Sequence, residues 1–260
     1  MTGLPSVAQM RPVTQPDTVT GRASAEHWTG TLYMRRISPY LTRLLIPTSI
    51  TPNGVTWLMI ASGAAAGGAL LVPGLPGAVL AVLLTQLQML LDCVDGELAR
   101  WRSSFSAAGI FLDKLGHYLA ETLIPLGLGV RADGGLGSAG GWTTLGALLA
   151  LLVLFNKSLN EMVHASRARA GLEPLADKAG VGVPRRTGIA RLRSMARFVP
   201  FHRAYHSIEL TLLALLAALA DALLGGGLGA TRFLVVALLA AAVVTVLGHV
   251  VAILTSSKLR

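Results

Sequence analysis

Four residues in the first half of the chain have the types and spacing to do chemistry together: Asp92, Asp95, Asp113 and His117. The first pair stands three apart in LLDCVDGELAR and the second four apart in GIFLDKLGH. Either interval puts its pair on one face of a helix. Both stretches are otherwise apolar, and an ionisable group in such surroundings is costly unless it is compensated. Three carboxylates brought close together cannot all stay ionised without a counter-charge. Protonation or an arginine would relieve the repulsion, and divalent cations are the compact solution. Two other readings compete on physics alone: a hydrogen-bonded cluster that only locks two helices, and a proton- or ion-translocating relay.

The elements that must position these residues are apolar helices. Of 260 residues, 53% are hydrophobic and 13% charged, about half the charge of a soluble domain, so an integral membrane protein is expected. Windows of about 20 residues give six spans, at approximately 53–72, 78–99, 109–129, 143–163, 206–225 and 231–254. Short Pro/Gly-rich links such as VPGLPG and RADGGLGSAGG join them as turns. Met1 to Thr31 is polar, so no signal peptide is expected there. The single cysteine, Cys93, excludes an intrachain disulfide.

Charge sets the orientation. Eighteen Lys and Arg residues lie in the leading segment, the 2–3 and 4–5 links and the tail, against Arg131 and Arg232 in the other links. The asymmetry places both termini in the cytoplasm. With the 2–3 link cytoplasmic, Asp95 lies about 7 Å below Arg100, and Asp113 lies at a similar depth. The hairpin is expected to pair Asp95 with Asp113 and, one turn deeper, Asp92 with His117. The fold expected is all-α: six transmembrane helices (51–256) preceded by an interfacial amphipathic helix (28–50) and a polar, disordered tail (1–27). In the interfacial segment Trp28, Leu32, Tyr33, Ile37, Tyr40, Leu41, Leu44 and Leu45 would lie in the interface while Arg35, Arg36 and Arg43 face water, with Pro39 as a kink or restart point.

The pattern Asp92-x-x-Asp95-Gly96-x-x-Ala99-Arg100, eight residues, then Gly109-x-x-x-Asp113 resembles the signature of the CDP-alcohol phosphotransferase (CDP-alcohol phosphatidyltransferase) family. Thr51-Pro52-Asn53-x-x-Thr56 is similar to the start of that family's first span, and His117 stands where the signature has its last aspartate. The resemblance implies that Asp92, Asp95, Asp113 and His117 hold divalent metal, two Mg or Mn ions, on the donor's pyrophosphate. It also implies a nucleotide site made by Asn53, Thr56, Asp92, Gly96, Ala99 and Arg100, with His117 and Asp113 in the catalytic step. Paired metals suit pyrophosphate cleavage because charge builds on both the bridging and the leaving oxygen. An imidazole, with a reference pKa near 6.5, is a better base at neutral pH than a carboxylate, and it favours Mn, Zn or Co over Mg. The exchange to His117 therefore admits retained catalysis, altered chemistry or a degenerate site.

For the acceptor, Glu161 and His164 at the end of span four, and His206 and Glu209 at the start of span five, lie at cytoplasmic depths. Arg185 and Arg186 in the 4–5 link would contact a phosphate. The function expected is transfer of a phosphatidyl or other substituted phosphoryl group from a CDP-linked lipid donor to an alcohol acceptor, with release of CMP. The setting would be phospholipid synthesis at the cytoplasmic face of the cell membrane. The small residues of span one suit close packing and a homodimer face. Nucleic acid is not an expected partner, because the basic residues follow a membrane rim without interleaved aromatics. The alternatives are a soluble CDP-polyol donor and, in another class, an ion-coupled transporter with an Asp/His relay.

Overall fold

The computed structural model describes residues 4–20, 28–173, 204–256 and 259. Among them the order is α1 (Val7–Thr14), α2 (Asp17–Thr20), a π-helical turn (Gly30–Met34), α3 (Arg35–Leu45), α4 (Pro52–Ala69), α5 (Gly74–Trp101) and α6 (Ala107–Asp133). A 3-10 turn (Leu136–Ser138), α7 (Gly141–Arg169), α8 (Ser207–Leu223) and α9 (Gly229–Thr255) follow. A long helix coincides with each of the six expected spans. Among the described residues α5, α7 and α9 are long and apolar enough to cross a membrane. Helices α4 and α8 are shorter, at 18 and 17 residues, and α6 carries Asp113, Lys114 and Glu121.

The chain divides into two compact units, residues 1–65 with 83–119 and residues 66–82 with 120–260. In the first unit, Val55, Met59 and Ile60 of α4 pack on Leu91, Val94 and Leu98 of α5. Helix α4 starts where Thr51 Oγ1 accepts the Gly54 N–H (3.0 Å) and Pro52 takes the first helical position. Proline is suited to that place because no partner awaits its missing N–H. Arg102, just past α5, donates to the carbonyls of Leu45, Ile46, Thr48 and Ile50. It thereby serves the open carbonyl end of α3.

The described part of the expected tail, residues 4–20, is helical over Val7–Thr14 and Asp17–Thr20. Ser6 and Gln9 make a reciprocal capping box that starts α1, and Met10 and Thr14 are fully buried. The S-x-x-Q signature is readable in sequence but was outweighed there by the segment's polarity. Helix α3 also runs through Pro39 without a restart. It has its polar side inward: Ser38 and Thr42 are buried, while Tyr40 and Leu44 are 60% and 63% exposed. Tyr40 and Leu44 face outward as expected, whereas Leu41 and Leu45 pack on the α4–α5 core.

In the second unit α9 packs along α7 and α8. Neither α7 nor α9 has a capping side chain at its own N-cap, Gly140 or Leu228. A carboxylate from the preceding helix supplies the acceptor in each case. Asp133 accepts from the N–H groups of Trp142 (3.3 Å) and Thr143 (2.7 Å), and from Thr143 Oγ1. Asp221 accepts from Ala230 (2.7 Å), Thr231 (3.1 Å) and Thr231 Oγ1. The two arginines of the poorly charged links are likewise tied to carbonyls, Arg131 to Val72 and Gly74, and Arg232 to Ala132.

The hydrogen bond from Thr143, assisted by the backbone donors, holds the Asp133 carboxyl below the usual carboxylate range. A depressed native value stabilises the fold above the ordinary carboxylate pKa of about 3.9, and the benefit disappears as pH falls through the native value. In detergent, Asp133→Asn is expected to lower the thermal midpoint at pH 7, with the gap to the native protein closing below about pH 4. Asp221→Ala should cost about 1–2 kcal/mol of stability in denaturant titrations.

Candidate active site

Helix α5 stops at a left-handed residue, Ser103 (φ 50°), and the chain turns back through Ser104 and Phe105. Ser106 Oγ then accepts the Gly109 N–H (3.0 Å) and opens α6. This tight return sets the signature's two halves side by side. A cavity of about 270 Å³ lies between them, within the first unit. Asn53 and Thr56 line it from α4, Asp92, Asp95, Gly96 and Ala99 from α5, and Gly109 and Asp113 from α6. All eight were singled out in the sequence. Pro52 of the Thr51-Pro52-Asn53 motif also lines the cavity, as do Ser104, Phe105, Ser106 and Ile110, which were not singled out. The Ser-rich stretch after Arg102 was the available signal for three of them.

The charged groups meet in the expected order at the deeper level: His117 Nε2 lies 3.0 Å from Asp92 Oδ1. It also lies 3.5 Å from Asp113 Oδ1, one helical turn back. Asp92, Asp113 and His117 each offer a ligand atom within 4.8 Å of the others, and all three are partly exposed. Two carboxylates and an imidazole at that separation fit a divalent ion. Asp95 has a different engagement: its Oδ2 accepts from Thr56 Oγ1 at 2.8 Å, and the residue is buried.

Space at the site is set by glycines. A Cβ on Gly109 would stand 3.0 Å from Asn53 Oδ1, so a side chain there displaces the asparagine from the cavity wall. A Cβ on Gly116 would stand 2.7 Å from Met59 Cε, and its absence lets α6 approach α4 just before His117. Arg100 does not line the cavity. Its guanidinium lies beside Gly96, and its Nε donates to the Thr14 carbonyl at 2.6 Å.

The acceptor candidates belong to the second unit. His206 Nδ1 lies 3.1 Å from Glu121 Oε1, and Lys157 Nζ donates to Glu121 Oε2 at 2.8 Å. Glu121 was missed in the sequence, although it extends the Asp113–His117 stripe by one more turn. Glu161 and Glu209 are half-buried and His164 is exposed. Arg185 and Arg186 lie outside the described residues. His249 of α9 contacts α7 through Asn156 Oδ1 at 2.9 Å.

Residues 49–165 match the family model for CDP-alcohol phosphatidyltransferase. The match takes in α4, α5 and α6 and most of α7. The chain is also similar to the inner membrane protein YnjF of Escherichia coli (strain K12), with 37% identity over 110 residues. That alignment covers 41% of this chain and 52% of YnjF, so the chain spans about half the length of the relative it matches. The apolar helices and this relative mark the chain as a membrane protein, and residues 49–165 are similar to a family generally dependent on divalent metal.

The cluster geometry predicts that the purified protein binds Mn²⁺, read as loss of the free-ion EPR signal. Asp113→Asn and His117→Ala should each weaken that binding by about tenfold or more.

Proposed function

We propose that the protein transfers a substituted phosphoryl group from a CDP-linked donor to an alcohol, releasing CMP, and that the donor is CDP-diacylglycerol. One observation carries this reading: both halves of the signature, together with Asn53 and Thr56, line a single cavity. In this reading the six long helices span the membrane and both termini are cytoplasmic. The outward apolar face of α3 lies on the lipid surface, and the cavity faces the cytoplasm.

Asn53, Thr56, Gly96, Ala99 and Arg100 serve the cytidine end of the donor. Asp92, Asp95, Asp113 and His117 are the proposed metal set, with Asp92, Asp113 and His117 as its nucleus. Divalent metal, when bound, neutralises the pyrophosphate and the charge that develops on its oxygens. The acceptor oxygen attacks the phosphorus that carries the lipid, and the bond from that phosphorus to the CMP oxygen breaks. Where His117 is not a metal ligand it takes the hydroxyl proton, and Asp92 and Asp113 stand where they stabilise the resulting imidazolium. His117 cannot use Nε2 for both a proton and a metal, so base and ligand are exclusive roles for that atom. Glu161, His164, His206, Glu209, Arg185 and Arg186 remain the acceptor-side proposal.

The ion cluster of Glu121, Lys157 and His206 among apolar helices is what an ion-coupled transporter would also use. Turnover separates the two readings. CDP-diacylglycerol in detergent with Mg²⁺ or Mn²⁺ and a panel of alcohols should yield CMP, and Asp113→Asn should reduce the rate by at least about a hundredfold. Unaltered turnover in Asp113→Asn would remove the metal-site assignment. Wild-type activity in His117→Ala would remove the base, while full activity in His117→Asp with lost activity in His117→Ala would favour the ligand role.

A further inference from the structure

The N-terminal segment ends against the signature itself. After α1, the Gln15 side chain reaches two partners on different elements. Its Nε2 donates to the Arg35 carbonyl at 2.9 Å and to Glu97 Oε1 at 2.8 Å. The first contact has a specific cause. In a helix the Arg35 carbonyl would receive the N–H of residue 39, which is proline and has none. Gln15 supplies a donor where Pro39 cannot. The second contact satisfies a carboxylate that lies wholly inside the protein: Glu97 is 0% exposed. Ser38 Oγ and Thr42 Oγ1 (2.7 Å) of α3 donate to it as well, and an Arg35 nitrogen lies 3.9 Å away. Glu97 stands two residues after Asp95 and three before Arg100, on a position the signature leaves open.

One residue earlier, the Thr14 carbonyl accepts Arg100 Nε. Thr14 is fully buried, and its hydroxyl is tied to the Met10 carbonyl. The carbonyl that holds the signature arginine is therefore fixed by the end of α1, and the end of α1 is fixed by Gln15 on Glu97 and Arg35. A surface strap serving only stability would have no need to place its terminal carbonyl on that arginine, beside Gly96 of the cavity wall.

We propose that Gln15 and Glu97 are positioning residues: their contact clamps the end of α1 onto α3 and α5 and so sets the Arg100 guanidinium beside Gly96 for the nucleotide. The proposal rests on the reading that Arg100 serves the cytidine end of a CDP-linked donor. It makes residues 6–15, which lie outside the matched domain, part of the nucleotide site. A hydrogen bond to a buried charge is strong enough for its loss to weaken ligand binding by about tenfold.

The test uses the full chain in detergent with Mn²⁺ and cytidine 5′-diphosphate as the probe, with affinity read by calorimetry and folding by thermal midpoint. Gln15→Ala is expected to raise Kd by about tenfold, Arg100→Ala by at least as much, and the double variant no further than Arg100→Ala alone. That non-additivity is the signature of action through Arg100, because a general loss of stability would add to it. Gln15→Met, of similar size but without the donor, should behave as Gln15→Ala does, and it replaces that variant if the alanine protein does not fold. If Arg100→Ala weakens binding and both Gln15 variants bind as wild type, or if the effects add, the clamp is wrong and the nucleotide reading stands. If wild type does not bind the probe, or binds it equally without Arg100, the nucleotide reading fails and the clamp falls with it.

Discussion

The contact between His117 Nε2 and Asp92 Oδ1 is the point on which the site depends. Helices α5 and α6 are apolar over most of their length, and packing alone would leave their register loosely set. A carboxylate and an imidazole in such surroundings must find each other, and the penalty for missing by one turn is an uncompensated charge. Meeting there, they bring Asp113 within reach and hold the two halves of the signature about one cavity. The tight return through Ser103 to Ser106 and the missing side chain at Gly116 are what make that meeting possible.

The same requirement recurs wherever a charge is buried. Glu97 is satisfied by Gln15, Ser38 and Thr42, and Glu121 by Lys157 and His206. Arg102 and Arg131 are met by groups of backbone carbonyls at helix ends. Each of these polar groups does local work on the backbone or on another charge. Charge placement in this chain therefore reports the architecture of its helices as well as the orientation of the chain.

That distinction explains what was legible in the sequence. The six long helices follow from hydropathy, because an apolar run of span length has few other folds open to it. Asp92, Asp95, Asp113 and the residues around them were legible because their spacing and depth are constrained together. Less was visible where a residue's importance comes from a partner far along the chain. Gln15 and Glu97 are 82 positions apart, and nothing local marks either as special. Glu121, in the middle of α6, was missed because its partners Lys157 and His206 stand 36 and 85 positions further along the chain. The segment before residue 28 read as a tail because polarity dominates its composition, although its capping box was in plain view. Composition reports solvation well, but it is silent about a polar segment that docks on polar groups left exposed by a proline.

The paired carboxylate clasps have a consequence for biosynthesis. Asp133 and Asp221 each reach a threonine ten residues further on, and each closes a hairpin of two long helices through the same backbone positions. So short a closure sacrifices little chain entropy and needs no distant element to be in place. The α6–α7 and α8–α9 pairs are thus equipped to join as they emerge from the ribosome, before the remainder of the chain exists. The open amide ends of α7 and of α9 are thus satisfied from within each pair, with no help from a distant element.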